Sequence, residues 1–436
     1  MVRQPLVTTR EPHLVRAIGR WSLAALMVNF TIGAGIFGLP SAAAKLLGSQ
    51  SPIAYLIAAA GMGVIAACVA EVASRFSQAG GPYLYAKVSF GRFLGLQTGW
   101  LLWLTRVSSA AAVANVFVDY MPAFWPQAKE PISRFVILTV LIGGLAVVNI
   151  RGVVAGTRIS NLFTIAKLLA LLIFVASGIA FIFIHGSPVR PVAESHPVGT
   201  WLSCVLLIIY SFTGFEAALI PAGELKNPSR DIPSAILISL PLVALVYFLV
   251  QTVVIRMLAN SAQTDHPISA AAFVFGGTAM AAIVSAGALF SSFGSLAANM
   301  ISNPRLTFAL AEQGDFPSCF GVIHRRYQTP YMSIVAFAVL LWILALFGTF
   351  RWNATLSALS RLFAYGVTCA ALPKLRKILP SPTGFHLPGG VVFAILGFLF
   401  AFVLASRMGR TELVALTLTA TLSFLNWLVV RRRARN

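Results

Sequence analysis

Charged residues are scarce in this sequence of 436 residues. Only 10% of them are aspartate, glutamate, lysine or arginine, and 12 acidic residues stand against 32 basic ones. Hydrophobic residues make up 58% of the chain, and the mean hydropathy is +0.85. A soluble protein of this size cannot bury so much apolar surface. Apolar runs of membrane-spanning length occur throughout the chain, which predicts an all-α polytopic membrane protein.

Cysteine and histidine are also rare. The four cysteines lie far apart without the spacing of a metal or redox motif, and all six histidines fall in expected tails or loops. We therefore expect no disulfide, no metal site and no cofactor, and no catalytic residues for a membrane-embedded enzyme. No phosphate-binding loop of the nucleotide-binding type is present, so ATP-driven transport by this chain is not expected.

The net charge of +20 suggests nucleic-acid binding at first sight, but the basic residues form no patch interleaved with aromatics. They lie between the apolar runs: 21 of the 32 fall in the segments on one side and 8 on the other. This bias places both termini in the cytoplasm. The first twenty residues lack the apolar core of a cleaved signal and are expected to form a cytoplasmic tail. Short loops suit a bacterial inner membrane, and nucleic acid is not an expected partner.

Twelve transmembrane spans are predicted from the apolar runs. Their approximate limits are 18–46, 51–75, 92–120, 132–150, 157–184, 200–222, 233–258, 277–306, 331–350, 352–373, 388–406 and 411–430. A further apolar segment, residues 266–279, is short and suits a re-entrant or surface helix on the outer side.

The first span contains the sequence TIGAGIFGLP at residues 31–40. Its glycines favour a break in the helix, although glycines also serve close helix packing in membranes. A second candidate break, Ser211-Phe212-Thr213-Gly214, lies in the sixth span. Paired interruptions at corresponding positions of two halves are typical of transporters built from inverted repeats. The expected units are a tail (1–17), a first repeat (18–184), a second repeat (185–373), two added helices (374–430) and a tail (431–436).

Two broken helices at mid-membrane create a site for a zwitterion. Helix N-termini after Gly35 and Gly214 suit a carboxylate, because their free N–H groups carry partial positive charge. The carbonyl groups near Ile32 and Phe212 suit an ammonium group. The sequence therefore predicts a binding site for an α-amino acid.

Four segments of the chain resemble the amino acid–polyamine–organocation (APC) family of amino acid permeases. They are TIGAGIFGLP (31–40), AEVASRFSQAGGPYLYA (70–86), YSFTGFEAALIPAGELKNPSRDIP (210–233) and NPRLTFALAEQGDFP (303–317). The resemblance implies a five-plus-five inverted repeat of the LeuT type, with discontinuous helices 1 and 6, two added helices and alternating access.

The resemblance also implies which residues contact the substrate: Ile32, Gly33, Ala34, Gly35, Ile36, Ser211, Phe212, Thr213 and Gly214. In the family, an aromatic residue similar to Phe212 closes over the ligand from outside. Tyr210 stands where arginine/agmatine exchangers carry tryptophan, which speaks against that substrate.

Lys167 lies about 14 Å into the fifth span, too deep for its ammonium to reach the interface easily. It is interpreted either as structural, bonded to backbone carbonyls, or as a proton carrier that replaces the sodium ion of related transporters. Proton-coupled members of the family carry a similar lysine. Ser291 and Ser292, in the eighth span, keep a sodium site open as the alternative.

Glu216 is a gating or proton-relay candidate, or else it holds the helix end and nearby polar groups. Arg106 and Arg361 are expected to pair with helix ends or with Glu216. Because mid-span cations outnumber anions, a neutral or acidic amino acid is favoured over a polyamine. The leading function is proton-coupled amino acid transport, with an amino acid or polyamine exchanger on the same fold as the alternative. A sensor would need an output domain, which the short tails do not supply.

Overall fold

The computed structural model describes residues 19–33, 35–76, 80–152, 157–189, 195–216, 226–379 and 385–433, with the backbone alone at 157–166, 228–229 and 432–433. The regular structure in these ranges is helical, and no strand occurs in them. Its α-helices are α1 (Arg20–Thr31), α2 (Gly35–Leu47), α3 (Ser51–Ser74), α4 (Gly81–Phe90), α5 (Arg92–Tyr120), α6 (Pro131–Ile150), α7 (Thr157–His185), α8 (Val198–Ile209), α9 (Pro228–Met257), α10 (Pro267–Glu312), α11 (Tyr331–Phe347), α12 (Phe350–Ile378), α13 (Gly390–Ala405) and α14 (Arg410–Arg433).

Each of the twelve predicted spans contains at least one of these helices. The first span holds α1 and α2, and the sixth begins with α8, while residues 217–225 lie outside the described part. The eighth span differs most from its prediction, because α10 begins at Pro267 and includes the short apolar segment expected to be separate. Gly277 interrupts α10 with non-helical dihedral angles (φ 61°, ψ −160°), so the two parts join through a kink.

Eight helical stretches in the described residues have the length and composition of membrane spans. One of them runs through α2, a short 3-10 turn and α3 (Gly35–Ser74). Shorter apolar helices cover Val198–Phe212, Tyr331–Phe347 and Gly390–Ala405. These helices account for most of the chain, in agreement with a polytopic membrane protein.

Local sequence explains where several of these helices begin. Helices α6, α9 and α10 start with a proline, whose fixed φ suits the first helical turn and whose missing N–H costs no hydrogen bond there. Helix α12 starts after Thr349, whose hydroxyl accepts a hydrogen bond from the N–H of Trp352 at 3.3 Å.

Helices α5 and α12 pack against each other at the centre of the fold. In the most apolar stretch of α12, 78% of the residues are buried, against 22% in α6 and α14. Small residues along positions 108–114 of α5 let its neighbours approach closely. Helix α10 packs on α5 and α7, and helices α1 and α3 pack on α9. Helix α2 packs on α8.

Candidate functional site

The first candidate break separates α1 from α2. Helix α1 ends at Thr31 and helix α2 begins at Gly35. Between them Ile32 leaves helical geometry (φ −74°, ψ 83°), and the N–H of Gly33 donates to the carbonyl of Thr31 at 2.8 Å. Ala34 lies outside the described residues. The last carbonyls of α1 and the first N–H groups of α2 thus lie on either side of one short segment.

The two isoleucines of the predicted site point into the apolar core. Ile32 is 2% exposed and Ile36 is fully buried, so their side chains belong to the core. Gly35 lies under the ring of Tyr210: a Cβ at Gly35 would be 3.1 Å from Tyr210 Cε1. The hydroxyl of Tyr210 donates to the carbonyl of Ser109 on α5 at 3.2 Å. This ring therefore borders the start of α2.

The second candidate break follows α8. The helix ends at Ile209 and passes through a 3-10 turn, Tyr210–Phe212, to an extended Thr213 (φ −83°, ψ 157°). Gly214 follows with φ 111°, a conformation that favours glycine. A Cβ at Gly214 would lie only 2.6 Å from the carbonyl oxygen of Phe30 on α1. The two interrupted segments are therefore in direct backbone contact.

The side chains of the second break are largely engaged within the protein. The hydroxyls of Ser211 and Thr213 each donate to a carbonyl three residues earlier, at 2.7 Å. Phe212 is fully buried and packs edge-to-face on Tyr247, with the ring centroids 5.3 Å apart. In this conformation the side chains of the break are held by contacts within the protein.

Tyr247, on α9, connects the two breaks. Its Oη lies 2.8 Å from the carbonyl oxygen of Thr31 and 2.9 Å from that of Ser211, and the residue is fully buried. One hydroxyl proton serves one of these two acceptors at a time. The sequence analysis missed this residue, although a tyrosine followed one turn later by Gln251 in an apolar helix is a polar signal. Gln251 donates to the hydroxyl of Ser51 at 2.7 Å.

Lys167 reaches the end of α1. Its Nζ donates to the carbonyl of Asn29 at 2.7 Å, and the residue is 7% exposed. This carbonyl belongs to the last turn of α1, where helix geometry leaves acceptors free. Ser291 and Ser292 on α10 are buried, and neither hydroxyl has a hydrogen-bond partner among the described residues. The structure thus joins Lys167 to α1 and does not join it to these serines by a hydrogen bond.

Glu216 forms a compact cluster directly after the second break. One carboxylate oxygen pairs with Arg361 Nη1 on α12. The other accepts from Tyr365 Oη at 2.9 Å and from the N–H of Gly214 at 3.0 Å. The expected pairing of Arg361 with Glu216 is therefore present. The N–H of Gly214, expected to be free for a ligand carboxylate, is instead occupied by Glu216 in this conformation.

Arg106 lies on α5, opposite this cluster. Its Nη1 donates to the amide oxygen of Asn303 on α10 at 2.9 Å, and it interacts electrostatically with Arg361 and Glu216. Among the described residues no carboxylate lies within ion-pair distance of Arg106. Within the described ranges the side chain is therefore held by a neutral amide.

Glu71 ties helix ends together near the predicted cytoplasmic side. It accepts from Arg75 at 2.7 Å, from Arg376 at 2.7 and 2.8 Å, and from the N–H of Leu387 at 3.0 Å. Its carboxylate is fully buried. These contacts join α3 to α12 and to the segment before α13, so Glu71 holds these elements together.

Asp315, just after α10, is a second buried carboxylate that the sequence analysis did not single out. It pairs with Lys87 at 3.2 Å and with Arg92 at 2.8 and 2.9 Å, and the hydroxyl of Tyr83 donates to it. Burial raises the pKa of Asp315, but the hydrogen bonds from Tyr83 and Arg92 and the charge of Lys87 outweigh burial, so the pKa lies below its ordinary value. The sequence feature that could have indicated Asp315 is an acidic residue in a turn directly after a long apolar span.

Comparison with known proteins places these features in a family. The sequence profile of a family described as amino acid permease matches residues 18–424. The branched-chain amino acid permease BcaP of Bacillus subtilis is 26% identical, over 97% of this chain and 93% of the relative. The methylthioribose transporter of Bacillus subtilis is 27% identical, over 88% of each chain. Cationic amino acid transporter 4 of Mus musculus is 28% identical, over 86% of this chain and 62% of its own length.

The profile match covers nearly the whole chain, and the relatives are named as permeases or transporters, not as enzymes. The apolar helices agree with this assignment, since they have the length and composition of membrane spans. The chain therefore belongs to the amino acid permeases of the APC family and is an integral membrane transporter.

Proposed function

We propose that this protein carries an amino acid across the membrane by alternating access, coupled to protons, with the substrate bound between the two helix breaks. The observation that carries the proposal is the direct contact of these breaks. Gly214 lies against the carbonyl of Phe30, and Tyr247 Oη is within 2.9 Å of a carbonyl from each break. A ligand bound there would touch both interrupted segments at once.

The substrate's ammonium group is expected at the carbonyls of Thr31 and Ser211. Tyr247 donates its one proton to one of these carbonyls at a time, and the Thr31 carbonyl also accepts from the N–H of Gly33, so the Ser211 carbonyl is the freer of the two for an ammonium donor. The carboxylate is expected at the first N–H groups of α2, from Gly35 onward, because the N–H of Gly214 is already bonded to Glu216. The proposed contacts remain those expected from the sequence, with backbone atoms contributing most.

The proposed architecture consists of twelve spans in two inverted repeats. Residues 18–184 and 185–373 form the repeats, and residues 374–430 add two helices. The contact between α1 and the segment after α8 supports this arrangement, because these would be the first helices of the two repeats. The lysine and arginine bias supports cytoplasmic termini, and the short loops suit a bacterial inner membrane.

Lys167 is proposed to couple transport to protons. Its ammonium donates to the carbonyl of Asn29, so loss of a proton from Nζ would weaken the contact between α7 and the end of α1. Movement of α1 would open the site toward one side. Glu216 is proposed to gate the same site through α12. Ser291 and Ser292 on α10 are proposed as coupling residues, with a sodium site there as the alternative to proton coupling.

Uptake into proteoliposomes tests this proposal. We would measure the accumulation of a panel of radiolabelled amino acids with and without an inward proton gradient, for the wild type and Lys167→Ala. Lys45→Ala, an exposed lysine on α2, is the matched control. The expected result is gradient-dependent accumulation that Lys167→Ala loses and Lys45→Ala retains.

Two other outcomes would change the proposal. Uptake that requires the same amino acid inside the vesicles and ignores pH would identify an exchanger and assign Lys167 a structural role. No uptake of any amino acid by folded protein would refute amino acid transport, and amines would be the next substrates to test.

A further inference from the structure

We propose that the substrate of this transporter is an amino acid with an acidic side chain, whose extra carboxylate binds next to Arg106. The inference rests on the proposed function and names its substrate class. It starts from the charge balance beside the second break. Arg106 and Arg361 carry two positive charges there, and Glu216 carries one negative charge.

The charge of Glu216 is already used by Arg361. Its carboxylate pairs with that guanidinium and also accepts from Tyr365 and from the N–H of Gly214. Among the described residues, the hydrogen-bond partner of Arg106 is the neutral amide of Asn303 at 2.9 Å. In the part of the chain that the structure describes, one positive charge of this group therefore has no carboxylate partner.

An unneutralised charge in a membrane-embedded interior is costly, and such residues mark substrate or ion pathways. The buried Nε of Arg361 also has no hydrogen-bond partner among the described residues. The group thus combines excess positive charge with a spare donor, a combination that suits a carboxylate ligand.

Position links this group to the proposed substrate site. Arg106 lies three residues before Ser109 on α5, a rise of about 4.5 Å, so both residues lie on nearly the same helix face. Ser109 contacts the hydroxyl of Tyr210, whose ring covers Gly35 at the start of α2. Glu216 is bonded directly to Gly214 of the second break. We therefore expect the side chain of a bound substrate to extend along this face of α5 toward Arg106.

The test compares glutamate with glutamine, which have nearly the same size and differ in charge. Uptake of each would be measured in proteoliposomes containing the wild type, Arg106→Gln and Arg106→Lys. Arg151→Gln, which neutralises an exposed arginine after α6, is the control. We expect the wild type to prefer glutamate by at least tenfold in Vmax/KM. Arg106→Gln should lower that preference at least tenfold, while Arg106→Lys and Arg151→Gln should keep most of it.

Retained glutamine uptake by Arg106→Gln would show that this variant folds. Uptake of neutral amino acids without glutamate or aspartate would overturn the inference and leave the proposed function intact. An unchanged preference in Arg106→Gln would also overturn it. If Arg106→Gln lost the uptake of both glutamate and glutamine, and Arg106→Lys recovered both equally, Arg106 would have a structural role. If the folded protein took up no amino acid at all, the proposed function would be refuted, and the inference with it.

Discussion

Replacement of Gly214 by alanine tests whether the two breaks must touch for transport. The φ angle of 111° at this position costs a non-glycine residue about 1–3 kcal/mol. The new Cβ would also lie 2.6 Å from the carbonyl oxygen of Phe30, whereas ordinary contacts begin near 3.4 Å. Since both are backbone positions, no side-chain rotation relieves the clash. The two segments would have to separate by about 0.8 Å.

A strain of this size predicts a large functional effect. Each 1.4 kcal/mol corresponds to about a tenfold change, so the transport efficiency of Gly214→Ala should fall about 10- to 100-fold. A displacement approaching 1 Å at a ligand-positioning segment has consequences of similar size. The assay is initial uptake of the transported amino acid in proteoliposomes, with Vmax and KM determined separately.

Gly143→Ala is the control for this experiment. Gly143 lies in α6, and a Cβ added there would meet no other atom within 4 Å, so its replacement should leave uptake unchanged. Equal reconstitution and a monodisperse elution profile would show that the Gly214 variant is folded. Wild-type uptake by Gly214→Ala would refute the conclusion that close contact between Gly214 and Phe30 is needed.

Two further predictions concern single polar groups. Tyr247→Phe removes the hydroxyl that lies between the carbonyls of Thr31 and Ser211. The lost hydrogen bond, worth about 1–3 kcal/mol, should raise the KM for uptake about tenfold while the protein stays folded. An unchanged KM would contradict this. Asp315 has a lowered pKa, so its ionic contacts should stabilise the protein above about pH 4 and lose that effect as the pH falls further. Asp315→Asn should therefore lower the thermal unfolding midpoint in detergent at pH 7 and make that midpoint less sensitive to acid. Equal midpoints for the variant and the wild type at pH 7 would refute the role of these contacts.

The sequence predicted the helical architecture closely, because a bilayer imposes a simple rule. Each span needs a long apolar run whose backbone bonds are satisfied within the helix, and such runs can be read directly. The ends of helices were less certain. The joining of residues 266–279 to α10 depends on the kink at Gly277, and a single glycine does not reveal its dihedral angles in the sequence.

The sequence also located the two candidate breaks, since glycine-rich interruptions in apolar segments are a local signal. It did not reveal the side chains that connect them. Tyr247, Asp315 and the bond between Glu216 and Gly214 join residues that are distant in sequence or depend on backbone geometry. Without the packing of the helices, a polar residue in an apolar span has many candidate partners and no measurable distance to any of them.

By itself, then, the sequence predicted the helices, the excess of cations within the spans and the positions of the candidate breaks. These follow from local composition and from the cost of placing polar groups in lipid. Only the tertiary structure decided how the charges pair: Arg361 with Glu216, Lys167 with the end of α1, and Arg106 with a neutral amide. Pairing depends on distances of a few ångströms between different helices, and these distances are set by packing.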